Sequence, residues 1–110
     1  MNNGFNLVIL HGTVPKPPLR FDTRAVFYLD TTRLWRDRVT QLTRSETTTH
    51  TIIAYKELAE VVMAQVKEGS EVLVEGQHQF YSPTSNNPVC QIKASKLHII
   101  NGTDDPQDGI

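Results

Sequence analysis

The only tryptophan of this chain lies among arginines. Arg33, Trp35, Arg36 and Arg38 fall within one short polar segment. Single-stranded nucleic acid is bound by this combination, because a flat indole stacks on bases while guanidinium groups contact phosphates. The segment therefore predicts a nucleic-acid contact, and the alternative is a tryptophan packed under its own loop.

Further aromatic residues stand at the ends of strand-like runs. Tyr55 is followed by Lys56, and Phe80 and Tyr81 end a later run. Each of these rings alone is more typical of a core, since aromatic side chains dominate protein interiors. Together with the tryptophan segment, they are candidates for stacking and for phosphate contacts.

The sequence carries no pattern for catalysis or metal binding. It has no glycine-rich phosphate loop, no serine elbow and no histidine pair at metal-ligand spacing. His11, His50, His78 and His98 lie in different strand-like runs, where a lone histidine is usually structural. Cys90 is the only cysteine, which excludes an intramolecular disulfide, and it is expected to pack as a small apolar side chain. We expect a protein that is not an enzyme and needs no cofactor or metal.

Length and charge narrow the class of protein further. The 110 residues suit a single domain. The net charge of −1 hides an asymmetry, because residues 1–56 hold eight basic and four acidic side chains while residues 57–110 hold three and eight. This split allows a basic face, although a mixed solvated surface fits as well. The apolar run at 7–10 is too short for a signal peptide or a membrane span, so we expect a cytoplasmic protein without a membrane partner.

Five strand-like runs and one helical run must position the candidate residues. Runs rich in β-branched residues predict strands over 5–14, 25–32, 47–55, 71–80 and 89–100. Residues 33–46 are typical of a loop or a hairpin extension, and 81–88 of a turn. Within strand 25–32, Phe27 and Tyr28 alternate, so one of them faces the core.

The helical run lies between the third and fourth strands. Its apolar residues recur at three- and four-residue steps, which predicts a helix near 57–67 with Lys67 in the last turn and Gly69 as the stop. The order β-β-β-α-β-β matches the oligonucleotide-binding (OB) fold, an all-β, five-stranded barrel with one helix. Gly12 and Gly76 fit this fold, because strands of a small barrel coil sharply.

Five stretches together resemble the bacterial single-stranded DNA-binding protein family. They are FNLVILHG at 5–12, LWRD at 34–37, HTIIAY at 50–55, KELAEV at 56–61 and KEGSEVLVEG at 67–76. Their order and spacing are similar to the family over residues 4–100. The resemblance implies the same barrel, assembly into a homotetramer or a homodimer, and sequence-independent binding of single-stranded DNA in replication, recombination or repair.

The resemblance also implies roles for individual residues. Trp35 and Tyr55 match stacking positions of the family, and Phe80 or Tyr81 lies close to a third. His50 matches a histidine that supports the subunit interface. The neighbouring cations complete the predicted DNA-binding set, namely Arg33, Arg36, Arg38 and Lys56.

Some features depart from the family pattern. The residues at 47–49 are threonines, whereas the family often has an aromatic residue just before the histidine. The long linker and the acidic tip with its terminal aromatic are absent, which puts recruitment of replication or recombination proteins in doubt. We expect a DNA-binding domain over 1–100 and a short, polar, flexible tail over 101–110.

A second resemblance leaves an alternative open. Gly12-Thr13-Val14 followed by Pro18-Leu19-Arg20 is similar to the primosomal replication protein, a dimeric barrel without a tail. The alternative function is a replication adaptor with an OB fold that binds partner proteins as well as single-stranded DNA.

Overall fold

The computed structural model describes residues 4–81 and 89–101, apart from the side chains of Tyr81, Val89 and Asn101. Its elements are β1 (Val8–Thr13), β2 (Leu19–Phe21), β3 (Arg24–Arg36), β4 (Thr43–Tyr55), α1 (Lys56–Gln65), β5 (Glu71–Tyr81) and β6 (Val89–Asn101). The five long strands and the helix occur in the predicted order. The predicted turn over 81–88 and the predicted tail over 101–110 lie outside the described residues, apart from Tyr81 and Asn101, which end β5 and β6.

The five long strands close into a barrel. They follow one another in the order β1-β5-β6-β4-β3, and β3 returns to β1 through the pair Thr13↔Asp30. All pairings are antiparallel except that of β4 with β6, which joins Ile52 to Ile92 and Ile53 to Lys93. This arrangement confirms the predicted OB barrel.

The short strand β2 was not predicted. It pairs with the start of β3 through Leu19↔Val26 and Phe21↔Arg24, so it extends the sheet beyond the barrel. All three of its side chains are exposed. Without a buried side chain, the segment has none of the alternation by which a strand is recognised in sequence.

The core is built by alternate residues of the barrel strands. Ala25, Phe27 and Leu29 of β3 are fully buried and pack with Ile52 and other apolar residues of β4, β5 and β6. Because successive strand residues point to opposite sides, the intervening residues of β3 lie on the other face. That outward face carries Arg24, Val26, Tyr28 and Asp30, all half-buried.

Two glycines allow strands to approach closely. A Cβ atom on Gly12 would lie 2.1 Å from the carbonyl oxygen of Asp30, and one on Gly76 would lie 2.2 Å from that of Lys93. The β5–β6 register shifts between Glu75 and Gly76, where the strand coils sharply as expected for a small barrel. Both positions admit only hydrogen, because the atoms that a methyl group would meet belong to the backbone.

The helix α1 covers one end of the barrel with Ala59 and Val62, which are fully buried. It ends at Gln65, and the backbone of Val66 is already extended, so the prediction that Lys67 lies in its last turn is wrong. Gly69 has a φ of 91° and lies in a separate turn that leads into β5, so the prediction that it stops the helix is wrong, because the helix ends four residues earlier. Among the described residues, no helix is long and apolar enough to span a membrane.

Residues 33–46 form the distal part of a long hairpin, which we call the β3–β4 arm. The strands stay paired from Arg33↔Glu46 to Arg36↔Thr43, so the hairpin extension is the correct alternative for this segment. The turn is organised by Asp37, whose Oδ1 accepts hydrogen bonds from the backbone N–H groups of Val39 (2.8 Å) and Thr40 (3.2 Å).

Candidate nucleic-acid interface

Trp35 lies on the β3–β4 arm and remains accessible. Its side chain is 37% exposed, and the guanidinium carbon of Arg33 lies 4.4 Å from the centre of the indole ring. This distance is that of a cation–π contact, in which the Arg33 guanidinium group lies over one face of the ring. The loop therefore does not cover the ring, and the ring is oriented by a cation that itself can contact a phosphate.

The cations of the arm differ in how they are engaged. Arg33 pairs with Glu46 at 3.5 Å, and Nε of Arg44 donates to Asp37 Oδ2 at 2.9 Å. Arg36 and Arg38 are exposed and have no ion pair with any residue in 4–81 or 89–101. These two guanidinium groups keep their full charge available for an anionic ligand.

The turn of the arm has its own electrostatics. The backbone N–H groups of Thr40 and Val39, followed by Arg44, hold the pKa of Asp37 below its usual range. The hydrogen bonds favour the charged form, since a carboxylate accepts them better than a carboxylic acid. The negative charge of Asp37 therefore stabilises the turn of the arm, because all of its partners lie within the arm.

Tyr55 lies at the end of β4, on the outward face of the barrel. It is half-buried and stands opposite Arg24 in the β3–β4 register. Lys93 Nζ lies 5.6 Å from the centre of its ring, and its hydroxyl is 3.5 Å from Gln79 Nε2. The ring borders an open recess of about 270 Å³, which is lined by Phe21, Arg24, Val26, Ile53, Tyr55 and Gln91.

Phe21 and Arg24 of this recess were not predicted from the sequence, and neither was Lys93, which approaches the Tyr55 ring from β6. Phe21, Arg24 and Tyr55 lie side by side on β2, β3 and β4. Phe21 is 51% exposed and faces Arg24 across β2–β3, while Arg24 faces Tyr55 across β3–β4. The three residues thus form one row across three strands, and the two aromatic residues are about 10 Å apart. The run Arg20-Phe21 to Arg24 carries the same aromatic–arginine signal as the tryptophan segment.

Lys56 does not join the Tyr55 recess, although it follows Tyr55 in the chain. It begins α1 with a φ of 55° and lines a separate recess with Glu57 and Glu60. Arg20 donates to Glu60 there, which raises the pKa of Arg20 and lowers that of Glu60. The carboxylates disfavour a phosphate at this recess, so Lys56 is the weakest of the predicted contacts.

Phe80 lies near the end of β5 and is 73% exposed. It stands opposite Cys90, whose sulfur is exposed and 3.4 Å from His78 Nδ1. The expectation that Cys90 packs as an apolar side chain is wrong, because this part of the β5–β6 hairpin has no core beneath it. The side chain of Tyr81 lies outside the described residues.

His50 lies on β4 and is half-buried. Its Nε2 is 2.9 Å from Thr31 Oγ1, a side-chain contact within the same ribbon. This contact gives the ring a fixed orientation. Its predicted role at a subunit interface stays a prediction.

The predicted rings lie on two different sides of the β3–β4 ribbon. Arg33 and Trp35 follow the same alternation as the buried Phe27, whereas Tyr55 pairs with Arg24 on the outward face. The candidate contacts are therefore not one flat patch. Among the described residues there is also no cluster of three histidine, cysteine or acidic side chains that could hold a metal ion.

Comparison with known proteins gives a consistent result. A family model described as "Single-strand binding protein family" matches residues 5–100. The single-stranded DNA-binding protein of Plasmodium falciparum, solved in complex with single-stranded DNA, superposes with a TM-score of 0.79 at 25% identity, covering 92% of this chain and 100% of that one.

Two further solved structures share the fold. The small single-stranded DNA-binding protein of Streptomyces coelicolor has a TM-score of 0.72 at 19% identity, with coverage of 89% of this chain and 96% of that one. A deletion mutant of the single-stranded DNA binding protein of Thermus aquaticus has a TM-score of 0.75 at 21% identity, with coverage of 94% and 54%.

Proposed function

Because this chain belongs to the single-strand binding protein family, we propose that it binds single-stranded DNA without reading its sequence, by stacking bases on exposed rings and pairing phosphates with nearby cations. The observation that carries this proposal is the placement of the rings. Trp35 lies under Arg33, and Tyr55 lies between Arg24 and Lys93. Every base has a π-face, so such contacts tolerate any sequence.

The proposed action is passive. Unpaired bases that stack on the protein are withheld from nucleases and from re-annealing, as replication, recombination and repair require. A duplex hides its base faces and offers only phosphates to these rings, so it binds weakly.

The positions of the rings suggest a path for the DNA. Since Tyr55 and Trp35 lie on different sides of the β3–β4 ribbon, a strand that contacts both has to cross that ribbon. The exposed Arg36 and Arg38 at the end of the arm supply phosphate contacts at the crossing. This path uses every predicted contact of the arm.

We also propose that the protein self-associates, as a homotetramer or a homodimer. Leu7, just before β1, and Ile9, within β1, support this proposal, because they are 63% and 58% exposed. Several copies on one DNA strand raise the overall affinity through effective concentration. Sedimentation analysis with and without oligo-dT determines the number of copies.

Binding of fluorescently labelled oligo-dT tests the main proposal. The parent protein binds the oligomer and its tryptophan fluorescence is quenched, while a duplex of equal length competes poorly. Trp35→Ala weakens binding by about one stacking contribution, ~1–3 kcal/mol. Trp35→Phe retains a ring and most of the affinity.

A variant outside the arm serves as the control. Met63 lies on α1 and is as exposed as Trp35, at 37%, so Met63→Ala leaves binding unchanged. Failure of the parent to bind oligo-dT would overturn the function, whereas normal binding by Trp35→Ala would assign that ring to packing alone.

A further inference from the structure

A second recess on the outward face of the barrel has a different chemical character. It has a volume of about 280 Å³ and is lined by Pro15, Lys16, Tyr28, Asp30 and Thr49. We propose that it takes one base of the bound strand, stacks that base on Tyr28 and selects bases with an exocyclic amino group through the carboxylate of Asp30. The inference rests on the proposed function and adds a base preference at one position.

The barrel places these groups together. Tyr28 and Asp30 are two residues apart on β3 and therefore point to the same side. Thr49 stands opposite Asp30 in the β3–β4 register. Lys16 lies in the proline-rich connection after β1, whose stiffness holds it at the rim.

The carboxylate of Asp30 is held in one orientation. Its Oδ1 accepts a hydrogen bond from the hydroxyl of Thr49 at 2.6 Å. Within the described parts of the chain, no donor is bonded to Oδ2. One oxygen is thus fixed by the protein, and the other remains as an acceptor at the recess.

The free oxygen of Asp30 determines which part of a nucleotide enters the recess. A phosphate is repelled by the carboxylate, so the base enters and its phosphate stays near Lys16 at the rim. Cytosine presents the N4 amino group as a donor, whereas thymine presents the O4 oxygen at the same place. A carboxylate at this position therefore accepts a hydrogen bond from the cytosine amino group, whereas at the same position on thymine it faces the O4 oxygen.

The size and place of the recess agree with this assignment. Small-molecule sites span roughly 300–1,000 Å³, so this recess is suited to one ring system and not to a longer segment. Tyr28 stands opposite Thr51, four residues before Tyr55 on β4. That spacing is about 13 Å along the same face, so a strand seated at Tyr55 continues into the recess.

Competition between short oligo-dC and oligo-dT of equal length tests the preference, at mildly alkaline pH where oligo-dC stays unfolded. Asp30→Asn shifts the ratio of the two affinities towards oligo-dT by at least about five-fold, because an amide also donates to thymine O4. Glu68→Gln removes the same charge from an exposed side chain outside the recess and leaves the ratio unchanged. Tyr28→Leu weakens binding of both oligomers, and Tyr28→Phe does not.

A second measurement needs no variant. An oligomer of 2-pyrimidinone nucleosides keeps the pyrimidine ring and lacks the amino group, so the parent protein binds it less tightly than oligo-dC. If Asp30→Asn changes both affinities alike, or if the parent binds the 2-pyrimidinone oligomer as tightly as oligo-dC, the base preference is wrong while the general function stands. If neither oligo-dC nor oligo-dT binds, both proposals fall.

Discussion

The aromatic side chains differ widely in exposure. Phe27 is fully buried and stabilises the barrel, whereas Phe21, Trp35 and Phe80 leave between 37% and 73% of their surface exposed. A ring that is already packed on all sides has no face left for a base. The exposed rings, together with the half-buried Tyr28 and Tyr55, are therefore the candidates for the proposed stacking contacts.

Phe21→Ala tests the row across β2, β3 and β4. We expect oligo-dT binding to weaken by ~1–3 kcal/mol, since one face of the Tyr55 recess is removed. The free energy of unfolding changes little, because the side chain is half exposed. Fluorescence anisotropy of labelled oligo-dT measures the first quantity and thermal unfolding measures the second.

Leu19→Ala is the matched control for that variant. Leu19 is on the same short strand and is equally exposed, at 51%, but it does not border the recess. It should leave DNA binding intact. Equal losses in both variants would mean that β2 acts only through its packing.

The sequence allowed only part of this site to be predicted. Trp35 and Arg33 are two residues apart on one strand, so their contact follows from local spacing. The row of Phe21, Arg24 and Tyr55 depends on a short exposed strand and on the β3–β4 register. Such a register is set by tertiary pairing, which local composition does not encode.

Glycine allows the strands to curve where two backbones approach each other closely. Gly76→Ala would put a methyl group 2.2 Å from the Lys93 carbonyl, and that backbone cannot move without breaking the β5–β6 pairing. We expect a loss of ~1–3 kcal/mol in stability. Thermal unfolding of the variant measures it.

Gly4→Ala provides the comparison for this prediction. A Cβ atom at Gly4 has no neighbour within 4 Å among the described residues, so its unfolding temperature should match that of the parent. A Gly76→Ala protein as stable as the parent would show that the two strands can separate locally without cost.

The β3–β4 arm depends on the charge of Asp37. The pKa of this side chain is lower in the folded arm than in the unfolded chain, so its stabilisation is present above the ordinary carboxyl range. It is lost as the pH falls through the folded value, because the protonated group accepts the hydrogen bonds of Val39 and Thr40 poorly. The fluorescence of Trp35, which lies on the arm, should therefore change at acidic pH.

Asp37→Asn tests the origin of that change. An amide keeps one acceptor oxygen but loses the charge, so the arm is loosened at neutral pH and its acid transition disappears. Glu46→Gln, also on the arm, should keep the transition. An unchanged acid transition in Asp37→Asn would assign it to another group.

At the scale of the whole molecule, the charge distribution limits the electrostatic part of binding. The net charge is −1, and several cations are already paired with carboxylates, such as Arg20, Arg33 and Arg44. We therefore expect stacking to carry an unusually large share of the affinity. The fold itself was predictable, because the spacing of apolar residues predicts all five long strands and the helix.

A salt titration of oligo-dT binding measures how much of the affinity comes from phosphate contacts rather than from stacking. With Arg24, Arg36 and Arg38 contacting one phosphate each, the logarithm of the affinity for oligo-dT should fall with the logarithm of salt concentration with a slope of about −2. The physical reason is the release of roughly 0.7 counterions per neutralised phosphate. A slope steeper than about −4 would contradict the dominance of stacking.

The pairing of β1 with β5 has a consequence for synthesis on the ribosome. Val8 pairs with Gly76 and Thr13 with Glu71, so the first strand has to wait for about 60 further residues before its main partner exists. At ~5–20 residues per second, that delay is about 3 to 12 seconds. During this time an apolar segment has open hydrogen-bonding edges, which makes the nascent chain a substrate for chaperones and gives slow translation a cost in yield.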